Sequence, residues 1–288
     1  FMGALIAGKM NPAAAITAIV AGNVLLAVIS MLNGELGGKL GLSVSMCSRY
    51  SFGNVGTFIP SVIYFVSLAG WFGVSIGVLA AVLNGNIGGA PWVWSIVFGG
   101  AMTVMAVYGM KVISKIAFVV APAILLLMIV GFVLALLKMP EGQSLFPSGP
   151  YEGGNTWLLA FGLTVSHWMV GASLAPDVTR FARSRKAVAW SSLWGFVIAN
   201  NVIMLLGVLT SWALNSMDFF VVMPGLAGTF WKVLSILLII GIVITSGDCQ
   251  CYTSGLALSN LTKWDPKLTT AIAGIIGVLL AVSNIYGQ

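Results

Sequence analysis

Three short clusters of polar and aromatic residues interrupt long apolar runs, and each suits a different piece of chemistry. Ser67-Leu68-Ala69-Gly70-Trp71-Phe72-Gly73 sets an aromatic pair between glycines. Such a pair leaves ring faces free to stack on a flat ligand, though the same rings also pack well against neighbouring helices or lipid. Tryptophan in membrane proteins favours the interface, where its N–H meets water. A tryptophan in the middle of an apolar run therefore needs a polar partner or an internal cavity. In Thr164–Ser173, the only histidine of the chain, His167, lies between Ser166 and Trp168, with Gly171 and Ser173 close behind. An ionisable side chain at that depth marks a functional site by default; the plainer alternative is a neutral imidazole bonded to a nearby carbonyl. Thr245-Ser246-Gly247-Asp248 offers adjacent hydroxyls, which are hard oxygen ligands for a small cation unless they merely bond back to the preceding turn.

The scaffold that must hold these clusters follows from composition. Hydrophobic residues make up 59% of the 288, charged residues 7%, and mean hydropathy is +1.04. A water-soluble domain could not cover its surface with so few charges, so lipid is the solvent for most of the chain. Backbone polar groups in lipid must pair internally, and unbroken apolar runs without strict alternation select helices over a barrel. The expected class is all-α, a polytopic integral membrane protein with one transmembrane domain over 1–288. Apolar length and breakers predict a half-span at about 1–8. Full spans are expected near 12–33, 57–83, 92–110, 112–137, 156–175, 187–214, 229–247 and 268–286. Amphipathic or interfacial stretches are expected at about 38–55 and 248–263, and Asn200-Asn201 is the main polar interruption of its span. The chain starts apolar at Phe1 with no charged leader or cleavage site, and stops just behind another apolar run. The expectation is a fragment truncated at both ends rather than a signal peptide followed by a whole protein.

Basic residues alternate by side. Lys39, Arg49, Lys111, Lys115, Arg180, Arg183, Arg185, Lys186, Lys263 and Lys267 fall in loops at one end, against Lys9, Lys138 and Lys232 at the other, ten against three. The positive-inside rule makes the ten-charge side cytoplasmic. The net charge of +6 is thus a topology signal and not a nucleic-acid signal. Cys47, Cys249 and Cys251 lie near that reducing side in no zinc pattern and read as inert small residues. Enzymatic readings fare badly, because there is one histidine, no His-Glu-x-x-His, no pair of carboxylates within a span, no nucleophile elbow and no phosphate loop. No cofactor is expected. No carboxylate within a span offers itself as a proton carrier.

Five motifs in order then resemble the nucleobase–cation symporter family, to which bacterial cytosine permeases and hydantoin transporters belong. Phe1-Met2-Gly3 with Gly22-Asn23 resembles the first and second helices, and Arg49-Tyr50-Ser51-Phe52-Gly53 the Arg-x-Ser-Phe-Gly stretch before the third. Gly70-Trp71-Phe72-Gly73 is similar to the third-helix aromatic motif, and Pro176-Asp177-Val178-Thr179-Arg180-Phe181 to the Ala-Asp-x-x-Arg-Phe run after the sixth. Tyr252-Thr253-Ser254-Gly255-Leu256, with Asn260, resembles the segment after the eighth.

The resemblance implies a LeuT-type inverted-repeat helix bundle, here running from half of helix one through helix nine. It implies that Trp71 and Trp168 face one another across a planar heterocycle, with Ser67, Gly70, Ser166, His167 and position 68 around it. Cytosine permeases tend to carry Gln three residues before the third-helix Trp; this chain has Leu68. His167 stands where a small residue is usual and would take over part of the missing amide's work. Adjacent helical residues lie about 100° apart, so His167 and Trp168 could share one cavity only across an irregular turn, which is expected between about 166 and 173. Thr245 and Ser246 would be the protein's metal ligands, for sodium. The implied function is a purine–cytosine permease-like symporter, a monomer in the bacterial inner membrane, importing a cytosine-like nucleobase with sodium; lipid, substrate and sodium are its partners, and nucleic acid is not. Its alternatives are a proton-coupled relative for a purine, hydroxymethylpyrimidine, allantoin or hydantoin, and, in another class, a passive channel or a non-transporting membrane protein.

Overall fold

Helix starts are written locally in this chain. Asn11-Pro12 and Asp265-Pro266 each place a capping side chain before a proline at the first helical position, where no N–H is needed. The Asn11 carboxamide accepts from Ala13 N at 3.0 Å and the Asp265 carboxylate from Lys267 N at 2.8 Å. Thr156 and Ser184 cap in the same way onto Leu159 N and Ala187 N, both at 3.2 Å.

A computed structural model of the protein describes residues 3, 6, 10–142, 144–146, 156–215 and 223–283. Among them run α1 (Pro12–Leu40), α2 (Val44–Gly56), α3 (Phe58–Ile87), α4 (Pro91–Tyr108), α5 (Met110–Leu137), α6 (Trp157–Ser173), α7 (Ala175–Thr179) and α8 (Arg185–Ser192). A π-helical stretch (Leu193–Asn200) leads into α9 (Asn201–Leu214), followed by α10 (Thr229–Thr262) and α11 (Pro266–Val282). Six of these are long and apolar enough to cross a membrane, namely α1, α3, α4, α5, the continuous run Arg185–Leu214, and α10. Helices α6 and α11 are shorter, at 17 residues each. The half-span expected at 1–8 lies outside the described residues except for Gly3 and Ile6, as does the end of the 268–286 span beyond Ser283.

Two expectations are corrected. The stretch 248–263 is not a separate interfacial segment; α10 continues through it as one 34-residue helix. Its polar residues are packed rather than interfacial: Ser254 Oγ donates to Phe65 O at 3.0 Å and Cys251 Sγ contacts Thr270 O at 3.6 Å. The irregular turn expected at 166–173 is also absent. Helix α6 is regular to Ser173, and the break falls at Leu174. The irregular geometry sits instead at Leu193–Asn200, where an amide cluster supports it. Asn23 of α1, with no exposed surface, donates to Asn201 Oδ1 at 2.8 Å and accepts from Asn200 Nδ2 at 2.6 Å. Asn201 Nδ2 also donates to Val197 O at 2.9 Å, covering a carbonyl inside the π-helical stretch, where the regular i→i−4 ladder is interrupted.

The chain forms two units, 1–42 with 125–233 and 43–124 with 234–288, so each draws one stretch from each half of the sequence. In the first, α1 packs along α6, α7, α8 and the π-helical stretch, over a core that includes Ile19, Ala160, Met204, Val208 and Trp212. The ion-paired Glu35 carboxylate joins Lys39 at 3.0 Å and Arg185 at 3.2 Å, so two bases assigned to one side share an end of this unit. In the second, α11 packs on α3 and α4 around fully buried Phe72, Ile76, Leu79, Leu83 and Met102. Asn260 joins α10 to α2 and α3: its Nδ2 donates to Ser61 Oγ at 2.9 Å, its Oδ1 accepts from the Arg49 guanidinium, and Lys263 Nζ donates to its carbonyl at 2.6 Å. Arg49 and Lys263, also assigned to one side, thus meet.

Lipid tails are as apolar as the helices, so association depends on close approach of backbones. Gly37 shows it. A Cβ there would lie 2.4 Å from Pro176 Cα, and backbone cannot step aside as a side chain can. Gly37→Ala should destabilise the full-length protein in detergent by about 1–3 kcal/mol through forced separation of α1 and α7. Gly100→Ala, where nothing lies within 4 Å, should leave stability equal or raise it by about 0.5–1 kcal/mol. Thermal unfolding of the two variants checks the difference; equal loss in both would show that close approach is not what Gly37 provides.

Candidate functional site

The predicted site residues fall in both units. In the second, the face of α3 opposite its core carries Ser67, Gly70 and Trp71. Trp71 is 46% exposed although it stands in mid-helix, and a Cβ at Gly70 would meet nothing within 4 Å. Phe72, its neighbour, is wholly buried, and Leu68 is buried with it at 4%. The two aromatics therefore divide the labour: Phe72 locks α3 against Gly277 of α11, where a Cβ would come within 2.3 Å of its ring, and Trp71 is left nearly half exposed. Leu68 faces the core, and any change there alters packing before it alters a ligand contact.

One turn beyond Trp71, the Ser75 hydroxyl bonds Trp71 O at 2.8 Å and the Gln250 side-chain oxygen at 3.1 Å. Residues four apart share a helix face, so Ser75 brings a carboxamide from α10 to the Trp71 face. Neither Ser75 nor Gln250 stood out in the sequence. The i+4 spacing from Trp71 was a usable signal for Ser75, whereas Gln250 is reached only through the packing of α10 on α3.

In the first unit, Trp168 is 39% exposed on α6. Its ring lies over Gly171, where a Cβ would be 2.6 Å from it, and stands edge-on to Phe196 with centroids 6.3 Å apart at 81°. His167 also meets it edge-on, at 5.6 Å and 76°, and the buried Nδ1 of His167 has no hydrogen-bond partner. Ser166 is exposed and its hydroxyl bonds back to Leu163 O at 3.1 Å. Phe196, carried on the π-helical stretch, is the aromatic that sequence reasoning missed. Aromatic faces with an unsatisfied imidazole nitrogen can take a flat ring and bond its edge.

Thr245 and Ser246 sit near the middle of α10. The Thr245 hydroxyl donates to Gly241 O at 2.9 Å and Ser246 to Ile242 O at 3.0 Å. Back-bonding consumes each proton but leaves lone pairs, so a cation could still be coordinated. Among the described residues no group of three or more His, Cys, Asp or Glu could hold a metal ion.

Long apolar helices with a few polar and aromatic side chains at mid-helix define a polytopic membrane protein, and its fold is like that of a solved structure. The solved structure of Mhp1 in its inward-facing conformation covers 100% of this chain, which covers 68% of it, with a TM-score of 0.72 at 17% identity. Residues 1–288 match the permeases for cytosine/purines, uracil, thiamine and allantoin, and the chain belongs to that family, one of permeases and not of enzymes. It is 28% identical over 271 residues to the cytosine permeases of Escherichia coli strain K12 and of Escherichia coli O157:H7, over 92% of this chain. The chain spans 62% of the length of those relatives.

The Ser75–Gln250 pair yields a test. Gln250→Leu removes the carboxamide that accepts from Ser75 and, on the function proposed below, should weaken binding of labelled cytosine by the full-length protein several-fold, the worth of about one hydrogen bond. Thermal stability should stay within about 1 kcal/mol of wild type. Scintillation proximity binding beside a melting curve reads both; unaltered affinity would remove Gln250 from the site.

Proposed function

We infer that the protein is a symporter that imports a nucleobase or similar planar nitrogen heterocycle, cytosine-like, with sodium. The observation that carries this is a pair of mid-helix tryptophans, Trp71 and Trp168, each half-exposed and each accompanied by polar side chains able to read a ring edge. Offset stacking contributes about 0.5–1.5 kcal/mol beyond area burial and tolerates different ring edges. Specificity then rests on Gln250 and Ser75 beside Trp71, and on His167 with Ser166 beside Trp168, Ser67 and Gly70 leaving room for the ring. Buried Leu68 supplies no polar group, and His167 with Gln250 takes over. The matched relatives are cytosine permeases, which supports a cytosine-like substrate. Sodium binds at Thr245 and Ser246 through the lone pairs left by their back-bonds. The protein works as a monomer in the bacterial inner membrane, with the end bearing Arg180, Arg183, Arg185 and Lys186 in the cytoplasm by the positive-inside rule.

Uptake of labelled cytosine into vesicles carrying the full-length protein, with and without a sodium gradient, is the deciding experiment. Trp168→Ala should weaken cytosine binding about tenfold, or about 1.4 kcal/mol. Thr245→Ala should raise the sodium concentration for half-maximal uptake; an unmoved sodium dependence in that variant removes sodium from α10.

His167 is tested by shape and hydrogen bonding together. His167→Gln should keep part of the binding, since an amide also donates and accepts, and His167→Leu should abolish it. Normal uptake by the leucine variant would make His167 a packing residue.

A further inference from the structure

The link from α7 into α8 carries the densest positive charge of the chain: Arg180, Arg183, Arg185 and Lys186 follow one another closely. Glu35 ties Lys39 to the same corner through Arg185. Among the described residues of this unit the acids are Glu35, Glu141 and Asp177. Glu35 is shared between Lys39 and Arg185, Asp177 is buried, and Glu141 follows α5 beside Lys138, which the charge count assigns to the other side. Arg180 lies over the exposed ring of Phe181, 4.8 Å from its centroid. Arg183 and Lys186 are exposed, and neither is in an ion pair among the described residues.

Behind these charges the helix presents a column of exposed rings. Residues four apart share a helix face, and Lys186, Trp190 and Trp194 follow at that spacing. Trp190 is 59% exposed and Trp194 58%. At 1.5 Å per residue they lie about 6 and about 12 Å along the axis from Lys186. Their run, Arg185–Leu214, is long and apolar enough to cross a membrane, so the column starts at the membrane edge and descends into it. Two other tryptophans of the unit are bonded to protein: Trp157 Nε1 donates to Thr17 Oγ1 at 3.1 Å, and Trp231 Nε1 to Met223 O at 2.8 Å. The Trp190 N–H has no acceptor among the described residues.

Exposed cations above an exposed tryptophan match the layering of a membrane interface. About 30 Å of hydrocarbon lies within about 40–45 Å that includes the headgroups, so each polar layer is about 5–8 Å deep. With Arg183 and Lys186 at the phosphates, a ring about 6 Å further in meets the glycerol esters, whose carbonyls accept its N–H. The Trp194 ring then lies along acyl chain. An acidic protein partner would match the charges but not rings that descend into hydrocarbon. A zwitterionic lipid would match the rings but not the charges.

We propose that this corner binds one anionic phospholipid, its phosphate held by Arg183 and Lys186, its glycerol esters by Trp190 and one acyl chain along Trp194. Arg185, committed to Glu35, and Arg180, over Phe181, add to the positive field without serving as ligands. Helix α5 supplies the contrast within the same chain. It too opens on two bases, Lys111 and Lys115, yet it contains no tryptophan, so a headgroup drawn there finds charge and no column. The site does not depend on which solute the protein carries.

The test uses the full-length protein, with phosphatidylglycerol as the probe and phosphatidylcholine of the same chains as the reference. In detergent, native mass spectrometry should show wild type retaining phosphatidylglycerol in preference. Arg183→Gln with Lys186→Gln should weaken that retention about 25-fold, about fivefold for each base removed, and leave phosphatidylcholine unaffected. Lys111→Gln with Lys115→Gln, the same change in net charge, should alter it by less than about twofold. Equal weakening by both double variants, or by neither, overturns the proposal. In vesicles, chain-brominated phosphatidylglycerol should quench the part of the emission that is lost in Trp190→Phe more than brominated phosphatidylcholine does at equal mole fraction. Equal quenching overturns the selectivity, and no quenching by either shows that protein, not lipid, covers the column. Release of phosphatidylglycerol by millimolar inorganic phosphate would make the ligand a free anion and overturn the lipid assignment.

Discussion

Every polar group of this chain that enters lipid must find its partner within the protein, and the architecture follows from that requirement. It selects helices for the backbone and then governs the side chains. Thr103, Thr164, Thr245 and Ser246 all turn their hydroxyl protons back onto carbonyls three or four residues earlier. The carboxamides cannot do this alone, so they assemble: Asn23 with Asn200 and Asn201 in one unit, Asn260 with Arg49, Ser45, Thr57 and Ser61 in the other. Each assembly ties helices far apart in sequence, and does so at a place where the backbone departs from a plain helix or where an amphipathic helix must be held down.

Against that background of satisfied groups, a few exceptions stand out. Phe72 and Gly277 fit ring against backbone, and Gly37 fits against Pro176, one close approach in each unit. Trp71 is 46% and Trp168 39% exposed, His167 Nδ1 has no hydrogen-bond partner, and neither carboxylate oxygen of buried Asp248 has one. Lipid offers none of these polar atoms a hydrogen bond. The proposed function rests on the tryptophans and His167 among these groups. The π-helical stretch is notable too, since it brings Phe196 edge-on to Trp168 while its Val197 carbonyl is covered by Asn201.

The charged ends tell a consistent story within each unit. Lys39 meets Arg185 through Glu35, and Arg49 meets Lys263 through Asn260. These pairings join bases that charge counting alone assigns to one face of the membrane. The exposed Glu35 ion pairs contribute little to stability, and the Asn260 contacts are hydrogen bonds at a buried amide; their value here is as markers of which helix ends lie together.

The sequence by itself determined the class. Apolar length, the near absence of charge and the order of five short motifs defined an all-helical membrane protein of the nucleobase–cation symporter type, and placed most helices within a few residues of their ends. Helix starts were legible at Asn11-Pro12 and Asp265-Pro266 because capping is a local interaction. The continuity of α10 was not, because Ser254, Cys251 and Asn260 are polar, and only their burial against α3 and α11 makes a helix there preferable to an interfacial segment. The regularity of α6 and the irregularity of Leu193–Asn200 were likewise decided by tertiary contacts, since the amide that supports the π-helical stretch comes from Asn23, far away in the chain. Trp71, His167 and Trp168 could be singled out as candidates from residue type and depth. Phe196, Gln250 and the isolation of Asp248 could not, because whether a buried side chain has a partner depends on which other helices surround it, and that is a property of the fold alone.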